Sequence, residues 1–268
     1  GVFAHMSPIF AISVWPFKKI FHKKLIFWYL HRSASLKAKL AFKLSDHVAT
    51  ASKESLGIQC NNIVEIGHGI DLDFFKTERN WPKDSTEIIS VGRISPIKGL
   101  ETLIRAVQIV SEINKNISLK IIGRPVMPGD NAYLSKLKDL ISTLGADKFI
   151  EFNGFVPYKT MPAVYGKADI SVNLAPRGGI DKAVLESMAS GLLVLTSNEA
   201  FKKYFGEYSS ELIFEYDNPI DLTGKIIHLI SLSSEEKQKI SQFLIQSIKN
   251  HHLLKDTIMC LSDLFKPQ

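Results

Sequence analysis

Cysteine is nearly absent, with only Cys60 and Cys260 among 268 residues. The two lie far apart in sequence. They form neither a disulfide framework nor a metal-ligand spacing, which points to a reducing compartment. No apolar run reaches the roughly 20 residues needed to span a bilayer. The apolar stretch Gly1–Val14 lacks the basic start of a secretory signal. No Gly-x-Gly-x-x-Gly opens a helix after a strand, which argues against a Rossmann dehydrogenase. Internal repeats and low-complexity segments are missing too.

The sequence is 45% hydrophobic, enough for a sizeable core. Its length fits two α/β lobes, or one lobe plus part of another. Formal charge is +6, from 33 Lys and Arg against 27 Asp and Glu. Much of the excess sits early, where Pro16–Tyr29 interleaves cations with aromatics. Three readings stand for this segment. The preferred one is a solvated basic turn leading into a buried strand at Leu25–Leu30. The second is contact of Lys18–Lys24 with an anionic membrane surface. A nucleic-acid partner is the third and is not expected.

From Glu87 onward short apolar runs alternate with helical periods. Strands are predicted at Glu87–Val91, Ser118–Ile122, Ile150–Phe152, Asp169–Leu174, Leu192–Thr196 and Glu211–Phe214. Helices are predicted at Leu100–Asn114, Ala132–Leu144, Met161–Lys167, Lys182–Ser190 and Pro219–Leu232. This order argues for an α/β fold with a parallel sheet covered on both faces. Gly92, Gly123 and Gly154 each follow a strand, and ligands of such folds bind at the carboxyl ends of strands. Upstream, Ala34–Leu44 reads as a helix and Val48–Ser52 as a strand. A turn-rich link, Asn61–Ser85, follows, with Trp81-Pro82 as breakers. The tail Ser234–Phe265 reads as two amphipathic helices, opened by Ser233-Ser234-Glu235-Glu236. Four parts result: 1–70, a linker 71–85, 86–232, and the helices 233–268.

Two segments carry chemistry. In Ile88–Gly99 a strand ends at Gly92, and Arg93 and Lys98 follow before a helix opens at Leu100. Two such cations suit a pyrophosphate, since charge-assisted bonds contribute about 1.5–3 kcal/mol each. A solvated loop is the alternative. In Pro176–Gly191 a glycine pair precedes a helix whose free N–H groups suit an anion. Glu186 lies about one turn into that helix. There it either accepts hydrogen bonds from a vicinal diol or answers the helix dipole.

Taken together, these segments resemble the GT-B retaining glycosyltransferases of the group 1 (family 4) type. The matching residues are Thr50–Glu54, Gly67–Asp71 with Phe74, Val91–Arg93 to Lys98-Gly99, Ile121–Gly123, Phe152–Val156, Tyr165 with Ala168-Asp169, and Leu185–Gly191. The resemblance implies two Rossmann-like domains. Residues 86–232 would be the complete donor-binding domain, and 1–70 part of the acceptor-side domain. Gly92, Arg93 and Lys98 would hold the diphosphate of a UDP- or GDP-sugar. Gly154, Phe155 and Val156 would hold the base, and Glu186 the ribose. Gly179, Ile180, Asp181 and Lys182 would lie against the sugar and phosphates. His31 matches a strand-end histidine that approaches the transferred sugar, and His5 an earlier one. No cofactor and no metal are implied, because cations and a helix N-terminus carry the leaving charge. The acceptor would be a glycan or a lipid-linked carbohydrate, and the location cytoplasmic or peripheral to the inner membrane face.

Two departures qualify this. The family has a second glutamate, separated from the one matching Glu186 by seven residues. Gly178 stands in that place, and Asp181 is the nearest carboxylate that could substitute. The chain also starts in the middle of the acceptor-side domain, so a truncated or fragmentary chain is expected. A nucleotide-sugar-binding module without turnover is therefore the alternative to an enzyme.

Overall fold

The computed structural model describes residues 1–31, 34–53, 56–58, 60–81, 84–176 and 178–266. Glu54, Pro82 and Arg177, named in the motifs above, lie outside them. The chain divides into two compact units. The first comprises Gly1–Asp71, Gly178–Ile180 and Lys249–Gln268; the second comprises Leu72–Arg177 and Asp181–Ile248.

The first unit runs β1 (Val2–His5), α1 (Pro8–Ile20), β2 (Leu25–Trp28), α2 (Leu36–Leu44), β3 (His47–Thr50) and β4 (Ile63–Glu65). The strands form one parallel sheet in the order β1-β2-β3-β4. Every residue of β2 is buried, as befits an inner strand of a parallel sheet. Its side chains alternate between faces. Leu25 and Phe27 pack with Ala11 of α1 and Ala38, Ala41 and Phe42 of α2. Ile26 and Trp28 point to the other side, with Ala49 and Ile66.

Two expectations are corrected in part in this unit. The basic segment is a turn only at Phe21–Lys24, which leads into buried β2 as expected; before that turn α1 continues through Pro16 to Ile20. Its last turn is anchored by Lys18, whose Nζ lies 2.6 Å from Asp46 Oδ1 and 3.1 Å from the Leu44 carbonyl. The link after Asn61 holds a strand. Ile63 and Val64 pair with Val48 and Ala49, and that ladder outweighs the local turn signals.

The second unit contains α3 (Leu72–Phe75), β5 (Thr86–Val91), α4 (Leu100–Ile113), β6 (Ile117–Ile122), α5 (Asp130–Thr143), β7 (Ile150–Gly154), α6 (Met161–Lys167), β8 (Ile170–Asn173), α7 (Lys182–Ala189) and β9 (Leu193–Thr196). α8 (Lys202–Phe205), α9 (Ser209–Leu212), α10 (Pro219–Ser231) and α11 (Ser234–His251) follow, and α11 ends just past the unit. α12 (Leu254–Phe265) belongs to the first unit, where Leu261 and Leu264 pack on the Ile26 and Trp28 face. Of the predicted strand Glu211–Phe214, Glu211 and Leu212 instead end the short helix α9, while Ile213 forms one parallel bridge to Thr196 and Phe214 N–H donates to the Thr196 carbonyl at 3.2 Å. The Ser233 start is a capping box: Glu236 N–H donates to Ser233 Oγ at 3.2 Å, and Ser233 N–H donates to Glu236 Oε2 at 2.8 Å.

The second sheet is parallel throughout, in the order β7-β6-β5-β8-β9. The chain winds outward from β5 to β7, then restarts on the other side at β8. The order reverses between β5 and β8, and a crevice opens at the carboxyl ends of strands at such a switch point. α4 covers the sheet with an apolar stripe of Leu100, Leu103, Ile104, Val107 and Val110. Gly123 closes β6 against β5. A Cβ there would fall 1.7 Å from the Gly92 carbonyl oxygen, so no other residue fits.

Candidate functional site

The three strand-end glycines converge. Gly92 N–H donates to the Ile122 carbonyl at 3.0 Å, and Gly123 N–H donates to the Gly154 carbonyl at 2.8 Å. Beside them lies a cleft of about 450 Å³ lined by Gly92, Arg93, Arg124, Val126, Phe155, Val156, Tyr158, Met161 and Glu186. A small adjoining recess is lined by Gly92, Arg93, Lys98 and Asn173. Such a volume suits a small-molecule ligand.

Arg93 is exposed, and among the described residues its guanidinium makes no hydrogen bond or ion pair. Lys98 sits in a single 3₁₀ turn, Pro96–Lys98, and is engaged. Its Nζ lies 2.6 Å from Asp181 Oδ2. Asn173 Nδ2 donates to the same oxygen at 3.0 Å, while Asp181 Oδ1 caps α7 by accepting from Ala183 N–H at 3.2 Å. Burial pushes the Asp181 carboxyl up, but Lys98, Asn173 and the cap outweigh it and hold the group below its ordinary range. Asp181 is thus both helix cap and partner of Lys98.

Glu186, on α7, is 7% exposed and reaches the cleft. Burial raises its carboxyl to about 7, against the pull of Lys182 and of the Tyr165 hydroxyl. Lys182 Nζ is 3.9 Å away, and the Tyr165 hydroxyl donates to Glu186 Oε2 at 3.3 Å. Lys182 also lies 5.4 Å from the centroid of the Tyr158 ring.

The helix start behind Lys98 is not an open set of donors. Leu100 N–H donates to the Tyr133 hydroxyl at 3.1 Å, and Thr102 N–H donates to the Gly99 carbonyl at 3.1 Å. Tyr133 in turn donates to Glu101, and burial beside that carboxylate raises its phenol well above the ordinary value.

His31 belongs to the first unit, where it is exposed and meets the Tyr29 ring edge-on at 5.5 Å. His5, at the end of β1, is likewise in the first unit. Gly178, Gly179 and Ile180 are also assigned there, and the Ile180 carbonyl lies 2.9 Å from His68 Nε2. Two contributors escaped the sequence reading. Arg124 lies over the Phe155 ring at 5.0 Å. The Gly123-Arg124 pair repeats Gly92-Arg93 at the next strand end, a signal that was available.

The other is Arg79, which steadies both helices that carry Glu186 and Tyr165. Its Nε and one Nη donate to the Ser190 carbonyl at 2.9 and 2.7 Å, and the same Nη donates to the Tyr165 carbonyl at 2.8 Å. Its other Nη donates to the Ala168 carbonyl. The guanidinium thus closes the C-terminal ends of α6 and α7, where a cation meets the negative end of each dipole. Burial lowers it to about 10, partly offset by Asp169. Arg79→Met is expected to cost about 2 kcal/mol, since several carbonyls lose a charged donor but regain some water. A fall in the urea unfolding midpoint checks this; an unchanged midpoint contradicts it.

The doubly wound parallel sheet makes this an α/β protein with its ligand crevice at the carboxyl ends of the strands, at the switch point. The fold is of the GT-B type. The structure superposes on that of Anabaena Alr3699/HepE in complex with UDP and glucose with a TM-score of 0.80 at 15% identity, covering 97% of this chain and 76% of that one. It superposes on the sucrose-phosphate synthase of Thermosynechococcus elongatus with a TM-score of 0.78 at 15% identity, covering 98% and 72%. Residues 71–244 match the profile of Glycosyl transferases group 1. The chain belongs to that family. It is 29% identical over 161 residues to Spore coat protein SA of Bacillus subtilis, covering 58% of this chain and 42% of that protein. It is 24% identical over 166 residues to the human GDP-Man:Man(3)GlcNAc(2)-PP-Dol alpha-1,2-mannosyltransferase, covering 57% and 33%. The chain thus spans less than half the length of these curated relatives.

Proposed function

We propose that this chain binds a nucleotide diphosphosugar in the second unit and transfers its hexose, with retention of configuration, to a glycan or lipid-linked acceptor. One observation carries the reading: cations and a buried carboxylate meet in one cleft at the sheet's switch point. Arg93 and Lys98 take the diphosphate. The apolar wall of Val126, Val156 and Met161, with Phe155 under Arg124, takes the base. Glu186 accepts the ribose hydroxyls. Lys182 stands 3.9 Å from Glu186 and adds a cation near the sugar. The charge leaving with the nucleotide is then borne by side-chain cations, without metal or cofactor. In a front-face displacement the leaving phosphate takes the acceptor proton while the new glycosidic bond forms. His31 and Asp181 are the residues proposed to approach the transferred sugar.

The names of the similar proteins support a nucleotide-sugar donor of either base: HepE is described with UDP, and the human relative with GDP-mannose. Both cysteines are free thiols, which fits a cytoplasmic setting. No helix among the described residues is long and apolar enough to cross a membrane. Gly178 favours a second reading, a nucleotide-sugar-binding module without turnover, because it supplies no carboxylate to the hexose.

A thermal-shift panel of UDP-, GDP- and ADP-sugars tests the reading. Saturation at about a hundred times Kd is expected to stabilise by about 2.7 kcal/mol, a rise of several degrees. No shift with any of the three overturns the donor site. A shift without glycosyl transfer to a panel of sugar and lipid-linked acceptors gives the module reading.

A further inference from the structure

Given the donor site proposed above, on which this rests, we infer that Arg124 reads the base and that the cleft takes a guanosine diphosphosugar. Arg124 opens the loop between β6 and α5, within the second unit. The backbone around it is pinned. Gly123 N–H donates to the Gly154 carbonyl at 2.8 Å, and Ile94 N–H donates to the Arg124 carbonyl at 3.2 Å. Further along, the N–H groups of Val126 and Met127 donate to Asp130 Oδ2 at 3.1 and 2.9 Å. Pro125 and Pro128 fix φ on either side of that pair. Val91 pairs with Ile122, so Arg93 and Arg124 each stand two residues beyond paired positions of neighbouring strands. Two cations thus enter one cleft side by side, and a diphosphate already has Arg93 and Lys98.

The Arg124 guanidinium lies over the Phe155 ring, 5.0 Å from its centroid. Stacking engages one face of the guanidinium and leaves its N–H donors free in the plane. Among the described residues those donors meet no hydrogen-bond or ion-pair partner. The mouth of the cleft around them is apolar, with Val126, Phe155 and Tyr158 at 58, 62 and 50% exposure. Uncovered apolar side chains beside a cation that can only donate suit a flat ring with acceptors on its edge. Edge chemistry decides which ring. Guanine sets two acceptors, O6 and N7, side by side, and arginine meets both with parallel hydrogen bonds. Adenine puts an amino donor in the place of O6, and cytosine also presents an amino group on this edge. Uracil offers one carbonyl there, beside a carbon that accepts nothing. The larger purine also covers more of the apolar wall than a pyrimidine does.

The test is calorimetric titration of the chain with GDP, UDP, CDP and ADP, which share the diphosphate and differ in the base. GDP is expected to bind about tenfold to a hundredfold more tightly than the other three, the range over which one bidentate pair discriminates. Arg124→Met keeps a chain over Phe155 but removes the donors, and should bring GDP within about threefold of the others. Arg124→Lys keeps the charge but loses the paired donors, and should lose the preference in the same way. Arg124 is exposed, so the urea unfolding midpoint of both variants should match that of the wild type. Equal affinity for the four nucleotides, preference for another base, or a guanine preference that survives either substitution overturns the inference and leaves the donor site standing. An equal loss for all four in Arg124→Met also overturns it, because Arg124 then serves the diphosphate or a stack indifferent to the base. Binding of none of the four overturns the donor site itself, and the choice of base falls with it.

Discussion

Replacing Arg93 and Lys98 together by alanine is expected to weaken nucleotide-diphosphosugar binding by about two to four orders of magnitude. Each cation contributes about 1.5–3 kcal/mol to a phosphate contact, and every 1.4 kcal/mol is a factor of ten. The two residues differ in what else they lose. Arg93 is exposed and without an ion pair among the described residues, so Arg93→Ala should lower affinity and leave stability alone. Lys98 neutralises Asp181 at 2.6 Å, with both side chains about one-fifth exposed. Lys98→Ala therefore leaves a partly desolvated carboxylate held only by Asn173 and the α7 cap. A stability loss of about 1–2 kcal/mol should accompany the loss of affinity. Adding Asp181→Asn should restore the stability, because the amide needs no counterion. It should not restore binding, because the phosphate still lacks its cation. Calorimetric titration with the donor and urea unfolding of these four variants separate these effects. Wild-type affinity in the double alanine variant would remove the diphosphate from this loop.

The loop was legible in the sequence because it is local. A strand ending in Gly92, then Arg93 and Lys98 before an apolar-periodic helix, lies within twelve residues. The doubly wound sheet was legible for the same reason, since its strands and helices alternate along the chain. What stayed hidden depends on distant pairings. Asp181 meets Lys98 only because β8 lies beside β5, and they are separated by 83 residues. Arg79 meets the Ser190 carbonyl across 111 residues. The turn-rich appearance of Arg79 and its neighbours gave no hint of this. The basic segment differed from expectation only in its first part, up to Ile20. Interleaved lysines and aromatics suggested a turn, yet the helical period of Ile9, Phe10, Phe17 and Ile20 was present. Hydrophobicity predicts burial in one direction only, so their exposure had to come from the fold.

The carboxyl of Glu186 should make nucleotide affinity rise with pH, and Glu186→Gln should abolish that rise. Burial lifts this group from 4.5 to about 7. Lys182 at 3.9 Å and the Tyr165 hydroxyl at 3.3 Å lower the cost of ionisation without cancelling it. A ribose diol donates two hydrogen bonds, so it favours the carboxylate over the protonated acid. Affinity should therefore climb between pH 6 and 8, by on the order of tenfold, one pH unit of proton competition. Glu186→Gln keeps the shape but loses an acceptor and the titration, so its affinity should be lower and flat. Stability moves the opposite way. An acid raised by folding favours the fold below its ordinary value, and that advantage is lost as pH rises from 4.5 through about 7. At pH 8 the folded state holds a desolvated carboxylate, and Glu186→Gln should gain on the order of 3 kcal/mol, taken as about 1.4 kcal/mol per pH unit. At pH 4.5 wild type and variant should unfold alike. One substitution thus lowers affinity and raises stability at the same pH, which a purely structural glutamate would not do. Parallel affinity profiles for wild type and variant would assign the pH dependence to another group. A Glu186→Gln protein less stable than wild type at pH 8 would show that Lys182 and Tyr165 outweigh burial.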